Sequence, residues 1–274
     1  MTTNARIPEL PRASVLDLPL AVTDYEAVLE WMAAVVAASE RAYVSAVAVN
    51  LVMSVREDEA ARRAVLGASL LVPDGQPLVW ALHLLGERAA TRVYGPDLMA
   101  LHCARAALDG TPVYLYGGRD QQALELLVRR LRERFAGLVI AGGYSPPFRP
   151  LTADEQARVA TDINASGAQV VWVGIGQPKQ ELWMAAMRAR LHAPLLVGVG
   201  AAFDFHAGLV PQAPAWMGRH GLEWTYRLAR EPRRLWRRYL RYNPLFVGAF
   251  ARQYAEQRLH RSVHESERTG PRAG

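Results

Sequence analysis

Asp74 is the first residue whose type and position in the sequence could do chemistry. It follows the apolar run 69–72 within the segment Pro73-Asp74-Gly75, where Gly75 permits a tight turn. A carboxylate at the end of a strand could act as a general base. An aspartate in this position could equally stabilise the turn or cap the next helix. The spacing alone leaves both roles open.

A second polar cluster lies in the segment 174–181, which reads Gly-Ile-Gly-Gln-Pro-Lys-Gln-Glu. Its glycines would let the backbone approach a ligand, and Pro178 suits the first turn of a helix whose N-terminus attracts phosphate. Lys179 stands where a dinucleotide-binding fingerprint has glycine, and the Gly-Lys-Ser/Thr of a Walker loop is absent. Four side chains offer hydrogen bonds suited to a nucleotide or a sugar: Gln177, Lys179, Gln180 and Glu181. An ordinary strand-to-helix loop is the alternative.

Two further loops carry polar residues. In the segment 200–208, Asp204 and His206 flank Phe205 and would point to opposite sides if the chain is extended there. One of them could face a ligand while the other satisfies the backbone. The segment 94–97, Tyr-Gly-Pro-Asp, is typical of a turn with a helix cap, so its spacing alone predicts a structural role.

The sequence offers little to hold a metal ion, but it offers positive charge. Cys103 is the only cysteine, which excludes an intramolecular disulfide and a multi-cysteine metal site. The nearest match to an Asp-x-Asp pair is Glu-Asp-Glu at 57–59, which is more simply explained by the dipole of the helix it opens. Residues 210–274 hold 13 arginines against five glutamates. A few of these arginines could neutralise a departing diphosphate, and most are expected to form a solvated or lipid-facing stripe.

These loops connect alternating strands and helices. Apolar runs predict strands at 43–49, 69–72, 113–116, 138–141, 169–173 and 195–199. Helical patterns lie between them, one beginning at Asp24 and another at a capping box formed by Thr152 and Glu155. This alternation predicts an α/β fold, a Rossmann-like, mostly parallel sheet with helices on both faces. Ligands bind such a sheet at the carboxyl ends of its strands, where the loops described above lie.

The same pattern divides the chain into four segments. Residues 1–14 are predicted to form an N-terminal extension and residues 15–209 the Rossmann-like core. Residues 210–260 carry aromatic residues and arginines at roughly helical spacing, which predicts a basic helical appendage that docks on a membrane. Residues 261–274 are polar and are expected to be disordered.

Composition excludes several classes of protein. The chain has 274 residues, 51% of them hydrophobic and 21% charged, which suffices for a sizeable core and excludes disorder throughout. It contains no apolar run of roughly 18 residues or more, and residues 1–11 lack the apolar centre of a signal peptide. We therefore expect a soluble or peripheral protein on the cytoplasmic side.

Several separate motifs, in the right order, resemble those of the WecB/TagA/CpsF family of bacterial glycosyltransferases, glycosyltransferase family 26. The similarity extends over about residues 15–247. The motifs are Val-Pro-Asp-Gly at 72–75, Arg-Val-Tyr-Gly-Pro-Asp at 92–97, Val-Gly-Ile-Gly-Gln-Pro-Lys-Gln-Glu at 173–181, Gly-Val-Gly-Ala-Ala-Phe-Asp-Phe at 198–205, Gln-Ala-Pro at 212–214, Gly-Leu-Glu-Trp at 221–224 and Arg-Leu-Ala-Arg-Glu-Pro-Arg-Arg at 227–234.

The resemblance implies an inverting, metal-independent glycosyltransferase of bacterial cell-surface polysaccharide synthesis, such as that of teichoic acid or exopolysaccharide. It would move a sugar from a UDP-sugar to a polyprenyl-diphosphate-linked acceptor on the inner face of the cell membrane. The sugar would be N-acetylmannosamine, its uronic acid, glucose or a related one. No cofactor and no metal are expected.

The resemblance also implies roles for individual residues. Asp74 matches the proposed general base, and Arg227, Arg234 and Arg237 match arginines thought to meet the diphosphate. The substrate-binding residues are predicted to be Asn50, Gly75, Gly95, Asp97, Gly117, Gly176, Gln177, Lys179, Gln180, Glu181, Phe203 and Asp204.

One position departs from the family pattern. Members usually have Thr-x-Asn on the strand before the first polar helix, where this chain has Ala46 and Ala48, with Asn50 two residues later. Either Asn50 takes over the amide role or this pocket has lost a polar contact. A non-catalytic nucleotide-sugar-binding subunit of a polysaccharide assembly complex is therefore an alternative, although the retained Asp74, Lys179, Gln180, Glu181 and arginines argue against it. A nucleic-acid-binding protein that uses the basic appendage is a third reading, and no nucleic-acid partner is expected. The sequence leaves a homo-oligomer open.

Overall fold

The computed structural model describes residues 6–268, apart from the side chains of Ala215, Arg234 and residues 260–268. Strands β1 (Arg12–Val15) and β2 (Leu18–Ala21) form an antiparallel hairpin. Six further strands of the described chain form one sheet: β3 (Ala42–Val47), β4 (Leu70–Pro73), β5 (Val113–Gly117), β6 (Ile140–Tyr144), β7 (Val170–Gly174) and β8 (Leu195–Gly198). Their order is β4-β3-β8-β7-β5-β6, and every neighbouring pair is parallel.

The described residues also form twelve helices. They are α1 (Tyr25–Ala38), α2 (Val49–Ser54), α3 (Glu59–Leu66), α4 (Gln76–Leu84), α5 (Gly95–Asp109), α6 (Gln121–Arg134), α7 (Ala153–Ala165), α8 (Lys179–Met187), α9 (Ala202–His206), α10 (Ala215–Arg219), α11 (Glu223–Arg230) and α12 (Pro232–Arg268).

Alternate side chains of the sheet enter two separate hydrophobic clusters. In β7, Val171 and Val173 pack in the cluster that also holds the buried residues of α3, α7 and α8. Val170 and Trp172 point the other way, into the cluster formed with α1, α5 and α6. This alternation has the period of two expected of a strand that is buried on both faces. The prediction of a Rossmann-like parallel sheet covered on both faces, with a C-terminal helical appendage, is confirmed.

Local signals explain where several helices begin. Asp24 caps α1 by accepting a hydrogen bond from the backbone N–H of Ala27 at 2.9 Å. Thr152 and Glu155 form the predicted capping box of α7. Asp58 caps α3 through two backbone N–H groups, so the acidic run at 57–59 serves the start of a helix.

Three local elements differ from the sequence prediction. The β1–β2 hairpin was missed because its turn residues, Leu16 and Asp17, have positive φ without the Asn-Gly or Asp-Gly pair that usually marks such a turn. The short helix α2 follows β3 directly. The segment around Phe205 is not extended, because residues 202–206 form the helix α9, which the sequence did not predict.

The C-terminal helix α12 belongs to both the core and the appendage. Phe246 and Phe250 are buried in the hydrophobic cluster that covers one face of the sheet. Gln253 accepts a hydrogen bond from the backbone N–H of Leu16 and donates one to the carbonyl of Ser14, both at 2.8 Å. The helix therefore holds the N-terminal hairpin, whose first strand begins at Arg12 within the predicted extension.

The same helix runs on to Arg268, into the stretch at 261–274 that was expected to be disordered. Residues 251–259 contain Ala, Glu, Gln, Arg and Leu, which favour helix, and this composition lets the helix continue past 260. Residues 269–274 lie outside the described range. Across residues 6–268, each helix is too short or too polar to cross a lipid bilayer.

Replacing Phe246 by alanine tests whether α12 is part of the folded core. Phe246 is 5% exposed, whereas the next residue, Val247, is 66% exposed. We expect Phe246→Ala to lower the free energy of unfolding by about 3–5 kcal/mol, because it leaves a cavity beneath the helix. Val247→Ala should change it by no more than about 0.5 kcal/mol. Urea unfolding followed by circular dichroism measures both, and equal effects would contradict the docking of α12 on the sheet.

Candidate active site

A cleft of about 1020 Å³ lies at the carboxyl ends of the sheet strands. Its walls come from the residues that follow β3, β4, β5, β7 and β8, from the loop at 146–151 and from two arginines of the C-terminal helices. In a parallel sheet this edge is where ligands bind, because the strand ends and helix N-termini meet there. Eight of the sixteen predicted site residues line this cleft.

Asp74 lines this cleft at the end of β4. Its Oδ1 accepts a hydrogen bond from the backbone N–H of Gly95 at 2.7 Å, and no side-chain cap on α4 is formed. Burial raises the pKa of the carboxyl from 3.8 to about 6, although Arg92 and the Gly95 N–H pull the pKa down. A carboxylate whose pKa lies near neutral pH and that faces a cleft is suited to accept a proton. The geometry thus favours the base over the local turn or cap.

Arg92 lies beside Asp74 and joins it to the C-terminal segment. Its Nε donates a hydrogen bond to the main-chain oxygen of Asp74, and its Nη2 pairs with Glu223, the first residue of α11. The guanidinium also stacks over the ring of Tyr94, with 4.1 Å between its Cζ and the ring centroid. Sequence reasoning gave no role to Arg92 or Glu223, which are 131 residues apart.

The segment after β7 shapes the floor of the cleft. Gly117 has φ 140°, and a Cβ there would lie 2.5 Å from the oxygen of Gly174, so the ends of β5 and β7 require glycine for their close approach. Gly176 lines the cleft with φ 82°. Gln177 donates a hydrogen bond from Nε2 to the carbonyl of Ala46 and accepts one from Asn50 Nδ2 at 3.3 Å. Asn50, Gln177 and the exposed Lys179 all line the cleft, as predicted.

Gln180 and Glu181 were predicted to bind substrate, but both are buried away from the cleft. Gln180 Oε1 accepts a hydrogen bond from the backbone N–H of Gly200 at 3.0 Å. Glu181 Oε1 accepts one from Ser45 Oγ at 2.7 Å and another from Gln180 Nε2 at 3.0 Å. The first turn of α8 points these side chains into the core, so they position the loops after β7 and β8 instead of touching a ligand.

Burial and a missing hydrogen-bond partner affect the pKa of the Glu181 carboxyl. Its Oε2 is buried and has no hydrogen-bond partner among the described residues. Burial raises the pKa of the carboxyl from 4.5 to about 7, against the lowering effect of Ser45 and Gln180. A carboxylate without enough donors is costly to ionise inside a protein. Burial therefore favours the protonated form of Glu181.

The α9 segment supplies another wall of the cleft. Phe203 is buried against Gly174, where a Cβ would lie 2.6 Å from its ring. Asp204 Oδ1 accepts a hydrogen bond from Arg119 Nε at 3.0 Å, and both side chains line the cleft. The ring of His206 contacts the carbonyl of Pro96 instead, with 2.9 Å from Nε2 to the oxygen. Arg119 was not predicted, because nothing in its local sequence distinguishes it.

Four other predicted binding residues do not line the cleft. Gly75 caps α4, Gly117 allows the strand approach already described, and Gly95 holds Asp74 through its N–H. Asp97 accepts a hydrogen bond from the hydroxyl of Tyr25 at 3.2 Å and faces a separate cavity of about 410 Å³. The three glycines therefore shape the backbone around the site, and Asp97 belongs to the second cavity.

The C-terminal arginines divide into those that face the cleft and those that do not. Arg227 lines the cleft, with its Cζ 5.8 Å from the ring centroid of Phe205. Arg237 is exposed and lies over the ring of Trp236, whereas its neighbour Arg238 lines the cleft. The side chain of Arg234 lies outside the described residues. Among the described side chains, Arg227 and Arg238 are the C-terminal arginines at the site.

The described part of the chain contains no group of three or more His, Cys, Asp or Glu residues arranged to hold a metal ion.

A parallel α/β sheet with a carboxyl of raised pKa and two arginines in a cleft at its carboxyl edge has the chemistry of an α/β enzyme site suited to an anionic ligand. The comparison with known protein families gives the particular family. The family model described as "Glycosyl transferase WecG/TagA/CpsF family" matches residues 13–260. The chain belongs to this family of glycosyltransferases, which act in cell-surface polysaccharide synthesis, and as such it uses a sugar donor and an acceptor.

Glu181→Gln tests the charge state of the buried glutamate, because glutamine mimics its protonated form. The folded protein raises the pKa of Glu181 from 4.5 to about 7, so its favourable contribution to stability is fully present below pH 4.5 and is lost as the pH rises to about 7. Between pH 4.5 and 7.5 the free energy of unfolding of wild type should therefore fall relative to Glu181→Gln, by on the order of 3 kcal/mol. Denaturant unfolding at several pH values measures this difference. Glu30→Gln, on the exposed face of α1, is the control, and its free energy of unfolding should change with pH as that of wild type does.

Proposed function

We propose that this protein transfers a sugar from a UDP-sugar to a polyprenyl-diphosphate-linked acceptor, with inversion at the anomeric carbon and without a metal ion. The observation that carries the proposal is that Asp74, Arg227 and Arg238 line one cleft in a chain of this glycosyltransferase family. A base and a source of positive charge are the two groups that such a displacement needs.

Asp74 is the general base of the proposed reaction. The acceptor hydroxyl oxygen forms the new bond to the anomeric carbon as its proton passes to the Asp74 carboxylate. The bond between the anomeric carbon and the β-phosphate oxygen breaks, and UDP leaves with the electron pair from the opposite face. Since the Gly95 N–H is bonded to Oδ1, Oδ2 is the oxygen proposed to accept the proton.

Arg227 and Arg238 stabilise the departing diphosphate in this proposal. Charge develops on the β-phosphate oxygens as the bond breaks, and guanidinium groups match such oxygens in shape and charge. The glycines at 174–176 and the N-terminus of α8 next to Lys179 would hold the phosphates of the donor in the same cleft.

The sugar pocket is proposed to use the amides of Asn50 and Gln177. These side chains hydrogen-bond to each other next to Ala46, which supports the idea that Asn50 takes over the polar role expected two positions earlier. Candidate donors remain UDP-linked N-acetylmannosamine, its uronic acid and glucose.

We also propose that the protein acts at the inner face of the cell membrane, where its acceptor lipid lies. The side chains of Trp236, Leu240 and Val247 are exposed on α12, and the exposed Arg237 and Arg241 lie among them. An apolar and basic helix surface of this kind suits an anionic bilayer.

Asp74→Asn tests the proposed base. In an assay of UDP-sugars with a short-chain polyprenyl-diphosphate-sugar acceptor in EDTA, wild type should release UDP and form a glycolipid. Asp74→Asn should lower kcat about 10²–10⁴-fold, because the amide cannot take the proton. In wild type kcat/KM should fall as the pH drops through about 6, since the carboxylate must be ionised to act.

Asp109→Asn, at the exposed end of α5, is the matched control and should keep wild-type activity. Turnover by Asp74→Asn equal to that of wild type would contradict the role of Asp74 as the general base. UDP-sugar binding without product from any donor would favour the non-catalytic binding subunit. Activity that is lost in EDTA and restored by a divalent ion would contradict the metal-independent step.

Arginine substitutions test which C-terminal side chains meet the diphosphate. Arg227→Ala should lower kcat/KM about ten- to hundredfold, because a charged hydrogen bond to the leaving group is lost. Arg237→Ala should have little effect in detergent solution, since this side chain lies over Trp236 outside the cleft. A larger loss in Arg237→Ala than in Arg227→Ala would contradict this assignment.

A further inference from the structure

Arg92 lies between two carboxylates that belong to different parts of the chain. Asp74 follows β4 in the sheet, and Glu223 begins α11 in the C-terminal segment. The Arg92 and Glu223 side chains are only 18% and 15% exposed, and 2.5 Å separates their paired atoms. An ion pair with so little solvent access is screened weakly, so it influences nearby charges more than a surface pair does.

Close contacts seat the start of α11 at this position. A Cβ on Gly218 would lie 2.9 Å from Arg92 Nη1, and one on Gly221 would lie 2.6 Å from the ring of Trp80. These two glycines therefore let the chain before α11 lie directly against the core. Glu223 follows this contact and reaches Arg92.

Arg92 uses its donors on Glu223 and on the main-chain oxygen of Asp74. The Asp74 carboxylate is bonded instead to the N–H of Gly95. Arg92 bonds to the main chain of Asp74 and already lowers the pKa of its carboxyl, so it is the cation placed to pair with that carboxylate if Glu223 were withdrawn. Glu223 is the group that occupies it.

We infer that Glu223 is a positioning residue: by holding the guanidinium of Arg92 when α11 is seated, it keeps the Asp74 carboxylate unpaired and able to accept a proton. This inference rests on the proposed role of Asp74 as the base. When α11 moves away, Arg92 is released to pair with Asp74. The pKa of the Asp74 carboxyl then falls, and it becomes a weaker proton acceptor. Proton acceptance is then coupled to the seating of α11 over the cleft.

Other charged and titratable groups face Asp74 as well. Arg227, also on α11, lowers the pKa of Asp74 and lies near Tyr94 and Glu223. Tyr94 lies near Glu223, and its pKa is raised mainly by burial and further by the Glu223 and Asp74 carboxylates. Arg227 leaves together with Glu223 when α11 moves, so Arg92 is the cation that stays beside Asp74.

The experiment measures the titration of Asp74 directly, by NMR of protein labelled with ¹³C at the aspartate carboxyl, with Asp74→Asn to assign the signal. In Glu223→Gln, which keeps the size of the side chain, the pKa of Asp74 should fall by about one unit or more. Glu223→Asp keeps the charge and should retain most of the wild-type value. Glu57→Gln changes a carboxylate outside the cleft that bonds to Arg241 and Tyr242 of α12, and should leave the titration of Asp74 unchanged.

The Arg92→Gln background tests whether Glu223 acts through Arg92. There, Glu223→Gln should shift the pKa of Asp74 much less than it does in wild type. An equal shift in both backgrounds, or no shift in wild type, overturns the inference, and so does an equal shift in Glu57→Gln. If Glu223→Gln fails to fold by circular dichroism, Glu223→Ala in the wild-type and Arg92→Gln backgrounds gives the same comparison, with the same outcomes.

The activity assay separates this inference from the proposed function. The acid limb of the pH profile of kcat/KM should move with the NMR titration in Glu223→Gln. An NMR shift in a protein that transfers no sugar would leave the inference about Arg92 intact and overturn the function. Sugar transfer by a protein in which Glu223→Gln leaves the titration of Asp74 unchanged would overturn the inference about Glu223 and leave the proposed function intact.

Discussion

A buried chain of hydrogen bonds holds the site together. It runs from Ser45 in β3 through Glu181 and Gln180 in α8 to the backbone of Gly200 after β8. These hydrogen bonds hold in place the loops that form the floor of the cleft. They also require a glycine at position 198, because a Cβ there would lie 2.8 Å from Gln180 Nε2. Burying a carboxyl costs free energy, and the raised pKa of Glu181 shows that protonation relieves part of that cost. The protein thus tolerates a destabilising group in order to fix two loops against each other.

Two carboxyls with raised pKa values, the partly buried Asp74 and the buried Glu181, differ in their surroundings. Asp74 opens on the cleft, is bonded to one N–H and has arginines nearby, so it can exchange a proton with a ligand. Glu181 has no exposed surface and is bonded to side chains of its own core, so it cannot reach a ligand. A raised pKa alone would not distinguish them, and access to the cleft is what makes Asp74 the one we propose as the base.

The sequence predicted the sheet because buried parallel strands are continuous apolar runs, and it predicted α7 because a capping box is local. It could not predict contacts that depend on helix phase or on distant pairing. Arg237 and Arg238 are neighbours, yet only Arg238 lines the cleft, because successive side chains point about 100° apart around a helix. Gln180 and Glu181 look like ligand groups in a polar loop, but the first turn of α8 points them inward. The pair Arg92–Glu223 joins residues 131 positions apart, which no local pattern encodes.

The packing of α12 limits which part of the C-terminal segment can move. Phe246 and Phe250 are buried with the sheet, Gln253 holds the hairpin, and Arg241 and Tyr242 bond to Glu57. Detaching this helix would expose large aromatic surfaces and break the hydrogen bonds to β1, so α12 is best regarded as a fixed wall of the core. The helix α11 has no fully buried side chain; it is held by Glu223 on Arg92, by Trp224 against Tyr239 of α12 and by Arg227 over Phe205. A movement of α11, as the inference about Glu223 requires, would therefore expose less apolar surface than detachment of α12.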